Sequence, residues 1–151
     1  MIIEHLKSTE AAPMELLLSA DPSRELVEEY LAAGNCFIAR NRDEIIAVYV
    51  LLPINATTIE LMNIAVAEKE QGKGIGKELI NHAIEYARKQ GYSAIQVGTG
   101  NSSIGQLALY QKCGFRIIGI EPDFFVRNYE EQIIENGIIC RDMIRLERKL
   151  I

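Results

Sequence analysis

The sequence predicts an α/β (α+β) fold in which a mixed, mostly antiparallel sheet of about seven strands carries helices on both faces. Two patterns support this prediction. Two β-type runs flank the polar turn Asn41-Arg42-Asp43, which is typical of an antiparallel hairpin. The later part of the chain alternates strand, helix, strand, helix and strand, an order that places helices against a sheet. No repeat or linker interrupts residues 1–151, so we expect a single domain.

Strand and helix signals alternate in the first half of the chain. A helical region is predicted for residues 10–33, where Asp21-Pro22 gives a cap and first-turn signal and Gly34 ends the pattern. The predicted strands of this half cover residues 1–6, 36–40, 44–52 and 57–66.

The second half contains the alternating helices and strands. Its first helix begins within the run Gln71-Gly-Lys-Gly-Ile-Gly76 and ends at Gly91, with Arg88 and Lys89 favourably placed in the last turn. Residues 121–136 are expected to be irregular or briefly helical. The other predicted elements are a strand at 94–97, a helix at 104–112, a strand at 115–120 and a closing strand at 138–150.

Charge and composition narrow the possible partners. Sixteen Lys and Arg residues stand against twenty-one Asp and Glu residues, which gives a net charge of −5. No block of basic residues is present, so we expect no nucleic-acid partner. An acidic protein is compatible with a small cationic substrate.

The sequence also bears on compartment and metal binding. Residues 1–5 lack the basic and apolar segments of a signal peptide, and the longest apolar run, 45–52, is far shorter than a bilayer span of about 20 residues. The three cysteines and two histidines show no zinc-ligand spacing. We therefore expect a cytoplasmic protein with reduced thiols, no membrane association and no metal site.

The glycine-rich run at residues 71–76 is the most informative segment. It stands where a strand passes into a helix, so backbone N–H groups and the helix dipole favour an anion such as a pyrophosphate, beside Lys73 and Lys77. A P-loop would need Ser or Thr where Glu78 stands, and a dinucleotide fingerprint would need a third glycine at Leu79. An unrelated nucleotide-binding protein, and a glycine-rich helix start without a ligand, remain as alternatives.

Two motifs together resemble the GNAT superfamily of acetyl-CoA-dependent N-acetyltransferases. Gln71, Gly74 and Gly76 fit the pattern Q/R-x-x-G-x-G, and the block Leu109-Tyr-Gln-Lys-Cys-Gly-Phe115 looks like the Y-x-K/R-x-G-F signature of that family. The resemblance covers nearly the whole chain. It implies a V-shaped opening between the strand of residues 57–66 and the strand of residues 94–97, in which the pantetheine arm of the coenzyme lies.

The resemblance also implies how acetyl-CoA is held. The backbone of the glycine-rich loop would bind the pyrophosphate, two strand residues would pair with the pantetheine amides, and an N–H near Ile64 would polarise the thioester carbonyl. The family often has Asn where Ser103 stands here, with Asn101 two residues earlier, so either residue is a candidate contact. The remaining implied contacts are Ile64, Ala65, Val66, Gln71, Gly72, Lys73, Gly74, Ile75, Gly76, Lys77 and Lys112.

Glu60 and Tyr110 are the candidate catalytic residues. Strand alternation would place Glu60 among apolar neighbours, Met62, Ile64 and Val66, that raise the pKa of a carboxylate and favour a general base. Its distance from Gln71 also matches the catalytic glutamate of the histone-acetylating branch. In the GNAT signature, Tyr110 would be the acid for the departing thiolate. The alternatives are a solvated glutamate and a core tyrosine. Weaker candidates are Glu4 and Asp123 as bases and Cys113 as a nucleophile.

The acceptor site is expected in the loop after residue 120. Phe124, Phe125 and Tyr129 would wall a pocket, and the neighbouring acids would attract a cation; a loop folded on its own aromatics is the alternative. The expected reaction is acetyl transfer to a primary amine of a small molecule or peptide by direct attack in a ternary complex. A coenzyme-binding sensor without turnover is the competing function. The apolar closing strand and the resemblance favour a homodimer.

Overall fold

Nine strands and five α-helices make up the protein, which the computed structural model describes over all 151 residues. None of the helices has the length and apolar composition needed to cross a membrane. The helices are α1 (Met14–Ala20), α2 (Arg24–Ala33), α3 (Ile75–Lys89), α4 (Ile104–Lys112) and α5 (Phe124–Asn128). The strands are β1 (Ile2–His5), β2 (Asn35–Asn41), β3 (Glu44–Pro53), β4 (Thr58–Val66), β5 (Ala94–Gly100), β6 (Arg116–Glu121), β7 (Ile133–Glu135), β8 (Ile138–Cys140) and β9 (Met143–Lys149).

Seven of the strands form one mixed sheet in the order β1-β2-β3-β4-β5-β9-β6. The neighbours β4 and β5 are parallel, and every other neighbouring pair is antiparallel. The β2–β3 hairpin reverses between Asn41 and Glu44, at the polar turn that the sequence predicts. The predicted fold class, a mixed and mostly antiparallel sheet of seven strands, is confirmed.

Helices cover both faces of this sheet, as predicted. On one face, α1 and α2 bury Leu17, Val27 and Tyr30 against β2, β3 and β4. On the other face, α3 contributes six buried residues to a core of 21 residues, and α4 adds Tyr110. Each large aliphatic side chain buried in this way contributes about 1.5–3 kcal/mol relative to an exposed one. The two cores therefore fix β4 from both sides. The buried residues of α3 are Ile75, Leu79, Ile80, Ala83, Ile84 and Ala87.

The helical region predicted for residues 10–33 is divided into α1 and α2, and residues 10–13 lie outside both helices. Ser23 rather than Asp21 caps α2, because its Oγ accepts a hydrogen bond from the Leu26 N–H at 3.3 Å. Asp21 instead accepts a hydrogen bond from the Ser23 N–H at 3.1 Å. The Asp-Pro pair is a junction between two helices, and the Asp21 carboxylate has further contacts described below.

The closing strand predicted for residues 138–150 is wrong as one continuous element. It is divided into β8, which pairs with β7 in a separate two-stranded sheet, and β9, which lies inside the main sheet between β5 and β6. The β7–β8 turn consists of Asn136 and Gly137, with φ angles of 56° and 71°. Two successive positive φ angles define a type I′ hairpin turn, for which Asn-Gly is the strongest sequence signal.

The position of β9 removes one reason for expecting a homodimer. The apolar character of this strand reflects neighbours on both sides within one chain rather than a surface for a second copy. The homodimer itself stays a prediction.

Candidate active site

The parallel strands β4 and β5 separate at the middle of the sheet. They pair only between Thr58–Leu61 and Ala94–Val97, although β4 continues to Val66 and β5 to Gly100. The backbone edge of β4 beyond Leu61 is therefore open on the β5 side, where the expected V-shaped opening lies. A cavity of about 840 Å³ occupies this region, and its walls come from α1, α2, β4, β5, α4, α5 and the start of α3.

A β-bulge in β4 changes which side chains face this opening. Val50 pairs with Asn63 and Leu51 pairs with Leu61, so Met62 is an extra residue on β4. Met62 packs against the core under α1 and α2, whereas Ile64 and Val66 pack against the core under α3. The predicted common face of Glu60, Met62, Ile64 and Val66 is therefore wrong, because simple alternation ends at the bulge.

The turn before α3 has the geometry of an anion site. Gly74 is the N-cap of α3, with φ of 81° and no side-chain cap, and an added Cβ there would find no atom within 4 Å. Counting from its start, the first N–H group of α3 that has a hydrogen-bond partner is that of Glu78, which donates to the Gly74 carbonyl at 3.2 Å. The three preceding N–H groups of α3 are among those that an α-helix leaves without an internal partner. Open space next to these donors fits a diphosphate.

Side chains around this turn are anchored in different ways. Gln71 donates through Nε2 to the Val66 carbonyl at 3.1 Å, which joins the turn to the end of β4. Lys73 pairs with Glu70 at 2.8 Å and does not line the cavity. Lys77 lines the cavity and is the only Lys, Arg or His to do so.

A second, basic groove of about 870 Å³ adjoins the cavity at Lys77. Glu147 is the one acid on its wall. Lys112, predicted near the coenzyme, lines this groove rather than the cavity. The full set of cations on its wall is Lys77, Lys112, Arg116, Arg148 and Lys149.

Tyr110 is a buried side chain that also reaches the cavity. It is 4% exposed, packs against Phe115 with ring centroids 5.8 Å apart, and lines the cavity wall. Burial raises the pKa of the Tyr110 hydroxyl well above its ordinary value, so the group is protonated at neutral pH. Burial likewise raises the pKa of the nearby Cys113 thiol, which disfavours the thiolate that a nucleophile would need.

Glu60 lies beside an arginine that the sequence does not point to. Arg145 Nη2 donates to Glu60 Oε1 at 2.8 Å and Nη1 donates to Oε2 at 3.2 Å; the two side chains are 18% and 13% exposed respectively. Gly98 of β5 lies opposite Arg145, and a Cβ there would come within 2.8 Å of Arg145 Nη1. The glycine thus leaves room for the guanidinium to cross β5 and reach β4. A charged partner replaces the wholly apolar surroundings expected for this carboxylate.

Asn101 and Ser103 have different environments. The Asn101 amide donates to the Ile139 carbonyl at 3.1 Å and accepts from the N–H groups of Arg141 and Asp142 at 2.9 and 3.0 Å. These bonds hold the segment between β8 and β9, and Asn101 is not on the cavity wall. Ser103 lines the cavity and donates to Glu135 Oε1 at 2.9 Å.

The three predicted acceptor aromatics lie together on the cavity wall. The Phe125 ring centroid is 5.1 Å from that of Phe124 and 5.5 Å from that of Tyr129. The Tyr129 hydroxyl donates to Asp21 Oδ1 at 2.8 Å, which joins the end of α5 to the α1–α2 junction. The loop therefore packs its own aromatics and walls the cavity at the same time.

A polar network on the same wall was not predicted. The Tyr30 hydroxyl donates to Asp21 Oδ2 at 3.0 Å and accepts from Asn63 Nδ2 at 2.8 Å. In the sequence Asp21 carries a cap signal, Tyr30 fits the apolar spacing of a helix, and Asn63 lies inside a strand. No local pattern joins residues that are this far apart along the chain.

The weaker base candidates lie in other surroundings. Glu4 pairs with Arg40 at 2.9 Å, and Asp123 pairs with Arg141 at 3.0 Å; neither acid lines the cavity. No group of three or more His, Cys, Asp or Glu side chains has the geometry to hold a metal ion. The absence of a metal requirement stays a prediction.

Residues 4–115 match the acetyltransferase (GNAT) family, and the chain belongs to this family. Among curated proteins it is 58% identical over 132 residues to the uncharacterized N-acetyltransferase YvbK of Bacillus subtilis (strain 168), across 87% of this chain and 85% of that protein. The protein is thus an acyltransferase of the GNAT type, as the two motifs predict.

Two solved structures share the fold closely. A GNAT family acetyltransferase from Elizabethkingia anophelis with acetyl-CoA bound superposes with a TM-score of 0.97 at 49% identity, covering 99% of this chain and 97% of that chain. The IAA acetyltransferase from Bacillus cereus ATCC 14579 superposes with a TM-score of 0.95 at 56% identity, covering 99% of each chain.

Proposed function

We propose that the protein transfers the acetyl group of acetyl-CoA to a primary amine of a small molecule or peptide, by direct attack in a ternary complex. Residues 1–151 act as one N-acetyltransferase domain, which needs no metal ion. The observation that carries this proposal is the convergence of three features on one cavity: the open edge of β4, the free N–H groups at the start of α3, and Tyr110. Acetyl-CoA in the Elizabethkingia structure supports the choice of donor.

The coenzyme extends from the start of α3 along β4. The N–H groups of the 71–77 turn bind its pyrophosphate, next to Lys77. Beyond Leu61 the β4 edge lacks a β5 partner, so its backbone groups are available to the pantetheine amides in the manner of an added strand. The basic groove with Lys77 and Lys112 suits the phosphate on the coenzyme ribose.

The backbone of β4 also supplies the electrophilic assistance. An N–H near Ile64 donates to the thioester carbonyl and stabilises the negative charge that develops on its oxygen during attack. The donor must be rigid, because it stabilises the developing charge fully only if it is already aligned with the oxygen before the reaction. The cores on both sides of β4 provide that rigidity.

Two proton transfers remain for side chains. A lysine-like amine has a pKa near 10.4, so presenting it neutral at pH 7.4 costs about 4 kcal/mol. Glu60 accepts this proton. Arg145 donates one hydrogen bond to each carboxylate oxygen of Glu60, and each oxygen retains another acceptor position. The Tyr110 hydroxyl, which burial keeps protonated, donates to the departing thiolate.

The acceptor enters on the side of the cavity walled by Phe124, Phe125 and Tyr129. This wall and the coenzyme turn line the same cavity, so an amine and the thioester can meet there without an intermediate acyl-enzyme.

Release of free coenzyme thiol from acetyl-CoA across a panel of amines tests the proposal. We expect release that depends on the amine and an acetylated amine in equal amount by mass spectrometry. Coenzyme binding without thiol release for any amine would instead identify a sensor. Absence of both binding and release would contradict the acetyltransferase and the sensor alike.

A further inference from the structure

Carboxylates outnumber cations on the cavity wall. Its wall carries four carboxylates, and its single cation, Lys77, belongs to the first turn of α3. Glu60 is paired with Arg145 and Glu70 with Lys73, but Asp21 forms no ion pair with any residue of the chain. A partly buried carboxylate without a cationic partner favours a ligand that brings the positive charge. The four acids are Asp21, Glu60, Glu70 and Glu135.

Hydrogen bonds hold the Asp21 carboxylate in one orientation and leave part of it free. Oδ1 accepts from the Ser23 N–H and the Tyr129 hydroxyl, whereas Oδ2 accepts only from the Tyr30 hydroxyl. A carboxylate has about four acceptor positions, so one remains on Oδ2. Burial is the main cause that raises the pKa of Tyr30 and of Tyr129, and both hydroxyls therefore act as donors to Asp21 at neutral pH.

Asn63 gives an independent indication of a ligand. It is only 5% exposed, lines the same cavity, and uses Nδ2 to donate to the Leu17 carbonyl and the Tyr30 hydroxyl, at 3.0 and 2.8 Å. Its Oδ1 is buried and has no hydrogen-bond partner. An unpaired buried acceptor costs about 1–3 kcal/mol, which a bound donor would offset.

We propose that Asp21 Oδ2 and Asn63 Oδ1, whose side chains both form a hydrogen bond with the Tyr30 hydroxyl, bind an ammonium group of the acceptor. An ammonium has only donors and carries the missing charge, so it matches two free acceptors beside a carboxylate. Because an ammonium held in this way keeps its protons, it is not the nucleophile. The preferred acceptor is therefore a short diamine, whose second amine reacts. This proposal rests on the proposed amine acetylation.

The test compares diamines with alkylamines of the same length. Values of kcat/KM are measured for 1,3-diaminopropane, 1,4-diaminobutane and 1,5-diaminopentane, each beside the n-alkylamine in which a methyl group replaces one ammonium. We expect the best diamine to exceed its alkylamine by roughly 10- to 100-fold, the range for a hydrogen bond to a charged group. In Asp21→Asn this ratio should fall to within about threefold of unity.

A matched control separates local binding from general attraction. Asp43→Asn removes the same charge from the exposed β2–β3 turn and should retain the full ratio. Equal rates for diamines and alkylamines in the wild-type protein, or an equal loss of the ratio in both variants, would overturn the ammonium site while the acetyltransferase stands.

Binding without turnover distinguishes this proposal from the proposed function. Calorimetric titration of the CoA-saturated protein with the same diamines detects the ammonium site although no acetyl group is present. Binding that Asp21→Asn weakens by roughly 10-fold or more supports the site, even if no amine is acetylated. Absence of diamine binding to a folded, CoA-saturated wild-type protein would contradict it. The melting temperature of Asp21→Asn with CoA verifies that this variant is folded.

Discussion

The Glu60–Arg145 ion pair spans an intervening strand that contains neither residue. Glu60 is on β4, Arg145 is on β9, and β5 lies between the two strands. The pair exists because Gly98 leaves the surface of β5 free for the guanidinium. Arg145 thus fixes the position of the carboxylate that we propose as the general base.

Replacing Glu60 tests this role. A positioned base typically contributes 10²–10⁴-fold, so Glu60→Gln should lower kcat by roughly that factor near pH 7. The loss should shrink at high pH, where free amine accumulates. Glu85→Gln, which removes an exposed carboxylate of α3, is the control and should leave the pH–rate profile unchanged. A wild-type profile in Glu60→Gln would show that another group takes the proton.

Tyr110 allows a separate prediction, because its role concerns the thiolate rather than the amine. Its raised pKa keeps the hydroxyl protonated throughout the neutral range, so it can donate but not act as a base. Tyr110→Phe should lower kcat by roughly 10²-fold with little change in the affinity for acetyl-CoA, and raised pH should recover less activity than in Glu60→Gln. Loss of coenzyme binding with kcat intact would identify Tyr110 as a packing residue only.

At the residue scale, the sequence identifies the groups that lie in motifs and misses those that depend on contacts between distant segments. Tyr110 stands in a recognisable block, and Glu60 stands at a defined distance from the glycine-rich turn. Arg145, Tyr30 and Asn63 reach the site only through the strand order and the position of α2. The strand order and the position of α2 cannot be derived from residue spacing along the chain.

At the scale of elements, the start of α3 is the feature on which coenzyme binding depends. Gly74→Glu would place a side chain and a negative charge where the diphosphate is expected. Gly91, just beyond the end of the same helix, is a matched control, because it also has a positive φ and open space around its Cβ position. Both substitutions place a residue with a side chain in a left-handed backbone conformation. Each should destabilise the protein by about 1–2 kcal/mol.

The two variants should differ in their response to acetyl-CoA. Ligand at 100 times its dissociation constant stabilises the folded protein by about 2.7 kcal/mol, which raises the melting temperature. We expect this rise in wild type and in Gly91→Glu, and its absence in Gly74→Glu. An equal rise in both variants would mean that the diphosphate binds elsewhere.

The elements themselves were predictable where the signals are local. The β2–β3 hairpin follows from its polar turn, and α3 follows from its spacing and its terminal glycines. The β7–β8 hairpin has an equally local signal, Asn136-Gly137 between isoleucine pairs, which accounts for the pairing of residues 138–140 with β7 rather than with the main sheet. The bulge at Met62 has no such signal, because it is set by pairing with β3.

For the whole molecule, His82 makes stability depend on pH. Its Nδ1 lies 2.6 Å from the buried Tyr49 hydroxyl, and burial, followed by Lys89, lowers the pKa of the imidazole in the folded protein. The unfolded chain, with an ordinary histidine pKa near 6.5, then binds a proton more readily. The stability that His82 contributes is therefore complete above pH 6.5 or so and decreases as the pH falls through that value.

Urea unfolding at pH 7.5 and pH 5.5 measures this dependence. The free energy of unfolding should fall between the two values in wild type and should fall less in His82→Gln, which can still accept from Tyr49. Identical falls in both proteins would show that His82 titrates alike in the folded and unfolded states.

The measurement that tests the central claim most directly is the initial rate of transfer with both substrates varied. Attack by the amine on bound acetyl-CoA requires both in one complex, so double-reciprocal plots at several fixed amine concentrations should intersect, and the acetylated amine should accumulate in step with free thiol. Parallel plots, together with an acetylated enzyme isolated in the absence of amine, would contradict direct attack in a ternary complex.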